Sequence, residues 1–281
     1  MSKDSGSSRD DSDREMSIAA ETVGEMDIDW LQMSSRDLRT FCVQLSGKCC
    51  LAFEIGWVSS VEICFYYGKM MIGETTIKDI PIIPDYDNCV TIEWDDLHEN
   101  LVEIQNMVGF RSFFDDLMPK KGADLGLDDK KTITAALSVT PTGHQLTMSI
   151  DLANVSKIKC SLKGLNISGN EIAIILQLTN TSPFQLSFGR TCDFVLRKDQ
   201  ETVGNLSGDF QIDSGEYICT LNGTIENGVS GMVTLRGSKF NDYDDSWQQY
   251  VIRLFETEIN VDRKTTERTA KRRKLATHSS D

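Results

Sequence analysis

Residues 174–189, IILQLTNTSPFQLSFG, and residues 41–56, FCVQLSGKCCLAFEIG, can be laid on one another without a gap. Gln44 then falls on Gln177, Leu45 on Leu178, Ser46 on Thr179, Phe53 on Leu186, Ile55 on Phe188 and Gly56 on Gly189. The match runs on with small shifts. Ile72-Gly73 meets Val203-Gly204, and the turn Pro84–Asn88 meets Asp213–Glu216. The strand-like runs Cys89–Ile92 and Ile218–Leu221 follow those turns. Self-similarity at this spacing implies one small β unit written twice.

Working outward, 41–46 and 51–67 alternate apolar and polar residues with aromatic and β-branched content, as strands do. Gly68 punctuates a hairpin between Phe65–Tyr67 and Met70–Ile72. In the second half strands are expected at 171–180, 184–188, 193–197, 202–205, 210–213, 217–224 and 230–236. Two stretches differ. Across 95–118, Leu97, Leu101, Ile104, Val108 and Phe114 recur at helical spacing, with Gly109 expected to divide the segment and Pro119 to end it. Across 246–255, Trp247, Val251, Leu254 and Phe255 do the same. The expected fold is mainly β: two tandem immunoglobulin-like antiparallel β-sandwich modules, each with an added helix. The expected boundaries are an acidic disordered tail over 1–29, a diverged first repeat over 30–156 with a helical insertion near 95–118, a second repeat over 157–262, and a basic disordered tail over 263–281.

The second copy resembles the late embryogenesis abundant group 2 (WHy) domain in its fungal, tandem-repeat form. The resemblance rests on Thr179-Asn180-Thr181-Ser182-Pro183-Phe184, Gly189, Val203-Gly204, Ser214-Gly215 and Gly223-Thr224, with Thr181 standing where the family prefers proline. The first copy keeps Gly56 and Ile72-Gly73 but has lost the Asn and Pro signature. The resemblance implies an immunoglobulin-like sandwich without catalytic residues, in a family of which some relatives have been proposed to bind lipids. Asn180, Ser182, Pro183, Phe184, Gly189 and Gly204 read as fold residues. After a long strand, Asn satisfies nearby backbone groups and Pro sets the turn.

Charge narrows the function classes. The formal net charge is -14 and the pI about 4.7, so the body is expected to repel nucleic-acid phosphates. Residues 263–274 are the exception, with seven basic groups and one acidic. Arg263, Lys264, Lys271, Arg272, Arg273 and Lys274 have the two-cluster spacing of a bipartite nuclear-import signal, which implies an import receptor as partner. A solvated tail and a polybasic patch for anionic lipid are the rival readings.

The eight cysteines form no C-x-x-C pair, and Cys42, Cys64, Cys89 and Cys219 lie inside apolar strand patterns. Reduced structural thiols are expected. The histidines His98, His144 and His278 are scattered, and acidic pairs such as Asp115-Asp116 point apart. No catalytic residue, cofactor or metal site is expected. Five sequons, at Asn154, Asn166, Asn180, Asn205 and Asn222, would suit a lumenal domain, yet the opening MSKDSGSSRDDSDREMS has no apolar core of signal-peptide length. The expected compartment is nuclear or cytoplasmic, and lumenal only if the chain is a fragment of a longer membrane-anchored protein. Two functions follow: a non-enzymatic binding, adaptor or stress-type protein acting by contact with a protein partner; or a lipid-binding or membrane-surface module. The second would hold its ligand in an apolar groove between a sheet and the Leu97–Phe114 helix.

Overall fold

A computed structural model describes residues 21–50, 60–78, 82–84, 89–94, 101–120, 132–139, 145–240 and 246–262. The first half holds strands β1 (Glu21–Ser35), β2 (Thr40–Cys50), β3 (Ser60–Tyr67), β4 (Met70–Lys78), β5 (Ile82–Pro84), β6 (Cys89–Trp94) and β7 (Leu101–Ile104). Helix α1 (Met107–Leu117) and strands β8 (Ile133–Val139) and β9 (Gln145–Asp151) complete it. The second half holds β10 (Lys159–Ser168), β11 (Glu171–Asn180), β12 (Phe184–Lys198), β13 (Glu201–Ile212), β14 (Gly215–Ile225) and β15 (Met232–Lys239). Helix α2 (Trp247–Leu254) and strand β16 (Glu256–Asn260) end the described chain. The expected mainly β, sandwich-like class is the observed one, with a helix in each half.

The pairings show how the halves are joined. In the first, the ladder β1–β8–β9–β3–β4–β7–β2 returns to β1 and closes a ring. In the second, β10–β11–β14–β13–β12–β15–β16 runs in one open path. Strand β1 belongs to both, because Leu31–Ser34 lie parallel to Phe184–Ser187 of β12. Gly189 makes that sharing possible. At φ +64° it bends β12 in the left-handed region, so the segment before it faces β1 and the segment after it faces β15.

The interior is correspondingly continuous across the halves. Phe65 meets Phe41, Phe41 stacks on Phe110, and Phe110 meets Trp247 at 5.5 Å between centroids. Trp247 meets Phe188, and Phe188 meets Phe210, in turn against Phe194 and Phe255. Helix α1 starts at Asn106, whose side chain accepts from Gly109 N–H, and turns Phe110, Phe113, Phe114 and Leu117 inward at helical spacing. Helix α2 starts at Ser246 in the same way. It also fastens the halves by hydrogen bonds. Trp247 Nε1 donates to Thr40 O at 3.1 Å, and Gln248 Nε2 donates to Ser35 Oγ at 2.7 Å and Asp37 O at 2.8 Å.

Several expectations are corrected. Residues 21–29, read as part of a disordered tail, belong to β1: Met26 and Ile28 are buried, and the exposed Glu25, Asp27 and Asp29 between them masked the alternation. Residues 101–104, read as helix, are strand β7, paired with β2 and β4. Their apolar spacing cannot by itself distinguish a short strand from a helical turn. Gly109 does not divide the segment but sits in the first turn of α1, where an added Cβ would lie 3.0 Å from Met70 Cβ. The runs expected at 184–188 and 193–197 are one bent strand, β12, and those at 202–205 and 210–213 fall on one strand, β13, which ends at Ile212. Residues 1–20, 95–100 and 263–281, on which other expectations fall, lie outside the described residues.

Candidate functional site: a polar trough over a glycine corner

Strands β13 and β14 pair antiparallel over four residue pairs, from Gly204↔Ile225 to Ser207↔Asn222. Glycine permits the close approach of the two backbones. A Cβ on Gly223 would lie 1.9 Å from Asn205 O, and one on Gly204 would lie 2.6 Å from Thr224 O. No side chain fits between those backbones.

Over this corner the outward side chains of the paired β13 and β14 residues are uncharged and polar. Asn205 lies opposite Thr224 and Ser207 opposite Asn222, all four exposed. Strand β12 adds Asp193 beside Ser207 and Val195 beside Asn205. Two adjoining clefts, of about 430 and 340 Å³, share Asn205 and Thr224. One runs to Asn170, Glu226 and Asn227; the other runs to Asp193, Ser238 and Lys239. Each carboxamide offers a donor and an acceptor on one rigid plane, and each hydroxyl offers both from one atom. Together they form a row of side-chain donors and acceptors on the outer face of β13 and β14.

The Asn180–Phe184 turn lies at the far end of β11 and β14 from this site. Asn180 is in register with Gly215, whereas Glu171 at the other end of β11 is in register with Thr224. Asn180, 1% exposed, donates from Nδ2 to Phe184 O and accepts at Oδ1 from Ser182 N (3.1 Å) and Ser182 Oγ (2.7 Å). Pro183 O accepts from Leu31 N–H at 3.0 Å, so the turn anchors β1, and Phe184 packs on Phe113 and Phe114. Gly204 forms the corner itself. Of the sequons, Asn180 is sealed inside, whereas Asn154, Asn166, Asn205 and Asn222 are exposed.

The residues of the expected apolar groove are not brought together. Leu97 lies outside the described residues, and Leu101, 37% exposed, is on β7 with the half-buried Ile104. Val108 points away at 69% exposure, and Phe114 is buried at the seam of the halves. The space beneath α1 is filled by the rings of Phe41, Phe110, Phe113, Phe114, Phe184 and Trp247. Arg263, Lys264, Lys271, Arg272, Arg273 and Lys274 lie outside the described residues, as do His98, His144 and His278.

The titratable groups show what the described chemistry offers. Burial pushes the Cys192 and Cys219 thiols up to about 12 and Cys160 to about 11, away from a nucleophilic thiolate at neutral pH. The Tyr67 hydroxyl donates to Asp116, which with burial raises it to about 12. One group escaped the sequence reading. Glu62, Cys64 and Glu74 place one donor atom each within 4.8 Å of one another, a set able to hold a metal ion. Burial first, then the two carboxylates, push the Cys64 thiol up. The pairing Cys64↔Glu74 across β3 and β4 assembles the group, and linear spacing carries no sign of it.

Comparison with protein-family models and with curated proteins returns no match for this chain. No helix of the described residues is long and apolar enough to cross a membrane.

Proposed function

We propose that the chain is a non-enzymatic binding protein, an adaptor that grips an extended segment of a protein partner in the β13–β14 trough. The observation that carries this reading is the exposed Asn205–Thr224 and Ser207–Asn222 pairs above two contiguous clefts. They supply hydrogen-bond donors and acceptors from exposed carboxamides and hydroxyls. Basic segment 263–274 serves in this reading as a nuclear-import signal, recognised by an acidic groove of an import receptor. The tandem-module, late embryogenesis abundant group 2 reading draws its support from the Asn180–Phe184 turn and from the shared placement of β6 on β2 and β14 on β11. A lipid function gains no support from the ring-filled space beneath α1.

The test is site-directed photo-crosslinking in the intact chain, with Ser207→p-benzoylphenylalanine. Protein adducts are expected at Ser207 and are expected to be lost when Asn205→Ala and Asn222→Ala are combined with it. Equal adduct yield with and without those two carboxamides would remove the trough from consideration. For the import signal, replacing Lys271, Arg272, Arg273 and Lys274 by alanine should abolish nuclear accumulation of the tagged chain; unchanged accumulation would refute it.

A further inference from the structure

We infer that Glu62, Cys64 and Glu74 form a binding site for a thiophilic divalent metal ion of the zinc class, on the outer face of the first half and independent of the trough. Three observations carry it. The first is geometry. One donor atom from each residue lies within 4.8 Å of the other two. Glu62 and Cys64 alternate along β3 and so share a face, and the register Cys64↔Glu74 brings the third donor across from β4. Tetrahedral zinc, with sulfur at about 2.3 Å and oxygen at about 2.1 Å, needs its donors about 3.5 Å apart. Glu74 is exposed, and rotating its side chain inward by about 1 Å closes the set.

The second is charge. Glu62 stands between Thr76 and Thr147, and Cys64 between Glu74 and Ser149. On its other side Glu74 meets Glu103 of β7 directly. Like charges opposed in register repel, and a divalent cation at Glu74 removes that repulsion. Among the described pairings the partners of these four residues are uncharged or acidic; Lys78 is in register with Ser60, at the other end of the face from Glu103. The third is support around the donors. Thr147 Oγ1 donates to Glu62 Oε2 at 3.3 Å, and Gln105 Nε2 donates to Glu74 Oε1 at 2.8 Å. The Tyr66 hydroxyl bonds the Cys64 sulfur, which packing holds at 7% exposure. Outer partners of this kind fix the orientation of metal ligands. The sulfur sets the class of ion, because magnesium and calcium take oxygen ligands while thiolate selects zinc-like ions. The thiol gives its proton to solvent as the ion binds, and the bound ion ties β3 to β4.

The experiment uses the intact chain, reduced and stripped of metal by chelator, then titrated with Co²⁺ as a spectroscopic stand-in for Zn²⁺. A thiolate-to-cobalt charge-transfer band in the near ultraviolet is expected, removed by Zn²⁺ but not by millimolar Ca²⁺ or Mg²⁺. Cys64→Ser should abolish the band, whereas Cys42→Ser on β2 should leave it unchanged. Glu62→Gln/Glu74→Gln should raise the apparent Kd at least about tenfold. Zn²⁺ at about a hundredfold over Kd should raise Tm by about 5–10 °C in the parent and not in the carboxylate variant. Circular dichroism establishes that the variants are folded; should Cys64→Ser fail to fold, the carboxylate variant decides. Absence of the band, its survival in Cys64→Ser, its loss in Cys42→Ser, a Kd indifferent to both carboxylates, or displacement of the ion by Ca²⁺ overturns the inference.

Discussion

Trp247→Ala tests whether the two halves fold as one body. Trp247 is 1% exposed, and its ring meets Phe110 at 5.5 Å, Phe114 at 6.0 Å and Phe188 at 6.4 Å, so it touches both halves. Its indole N–H also satisfies Thr40 O. Removing a buried aromatic of this size costs about 3–5 kcal/mol, because the surrounding rings cannot collapse fully into the space. For a chain of this length each kcal/mol lowers Tm by about 2–4 °C, so a fall of about 6–20 °C is expected. Trp247→Phe keeps most of the contact but leaves Thr40 O without its donor, and should cost about 1–2 kcal/mol. Val108→Ala, at the exposed outer side of α1, should stay within about 0.5 kcal/mol of the parent. The assay is calorimetry together with hydrogen exchange read by mass spectrometry. A single transition should move, and peptides of β3 and β9 should lose protection together with those of β11 and β14. Two resolved transitions, with the first-half strands keeping their midpoint and protection, would refute the shared-core argument.

Asn180→Ala removes one donor bond and two acceptor bonds at a sealed site. It should destabilise by about 2–4 kcal/mol in urea titration. Gly223→Ala forces a Cβ to within 1.9 Å of Asn205 O unless the backbones part; it should cost at least about 2 kcal/mol and lower crosslinking at Ser207. The buried thiols make the chain sensitive to alkali. Cys192 and Cys219 titrate near 12 in the fold against 9.0 for the ordinary thiol. Their protons are held more tightly folded than unfolded, so this contribution to stability is complete below pH 9 and is lost as pH rises from 9 towards 12. Urea midpoints measured between pH 8 and 10.5 should fall with pH, and less steeply in Cys219→Ala; parallel slopes would contradict it.

Local pattern was enough to establish the class of this protein and much of its detail. Alternation along 171–180 and 217–224 defines β11 and β14, since a strand with one buried face repeats every two residues. Trp247, Val251 and Leu254 at helical spacing mark α2, and the Asn180–Phe184 turn can be read from its residue types alone. Sequence also supplied the basic cluster at 263–274, a matter of composition. Tertiary structure decided what depends on pairing between distant residues. That β1 serves both halves follows from the bend at Gly189 and from the parallel contact Leu31↔Phe184, separated by more than half the chain. The trough exists because Gly204 and Gly223 let the backbones of β13 and β14 approach closely, with Asn205 opposite Thr224 and Ser207 opposite Asn222. Each of those residues, taken singly, reads as an ordinary solvated turn or strand position. Register between strands is set by the burial of whole faces and by close backbone approach, both properties of the folded chain rather than of any short stretch of it.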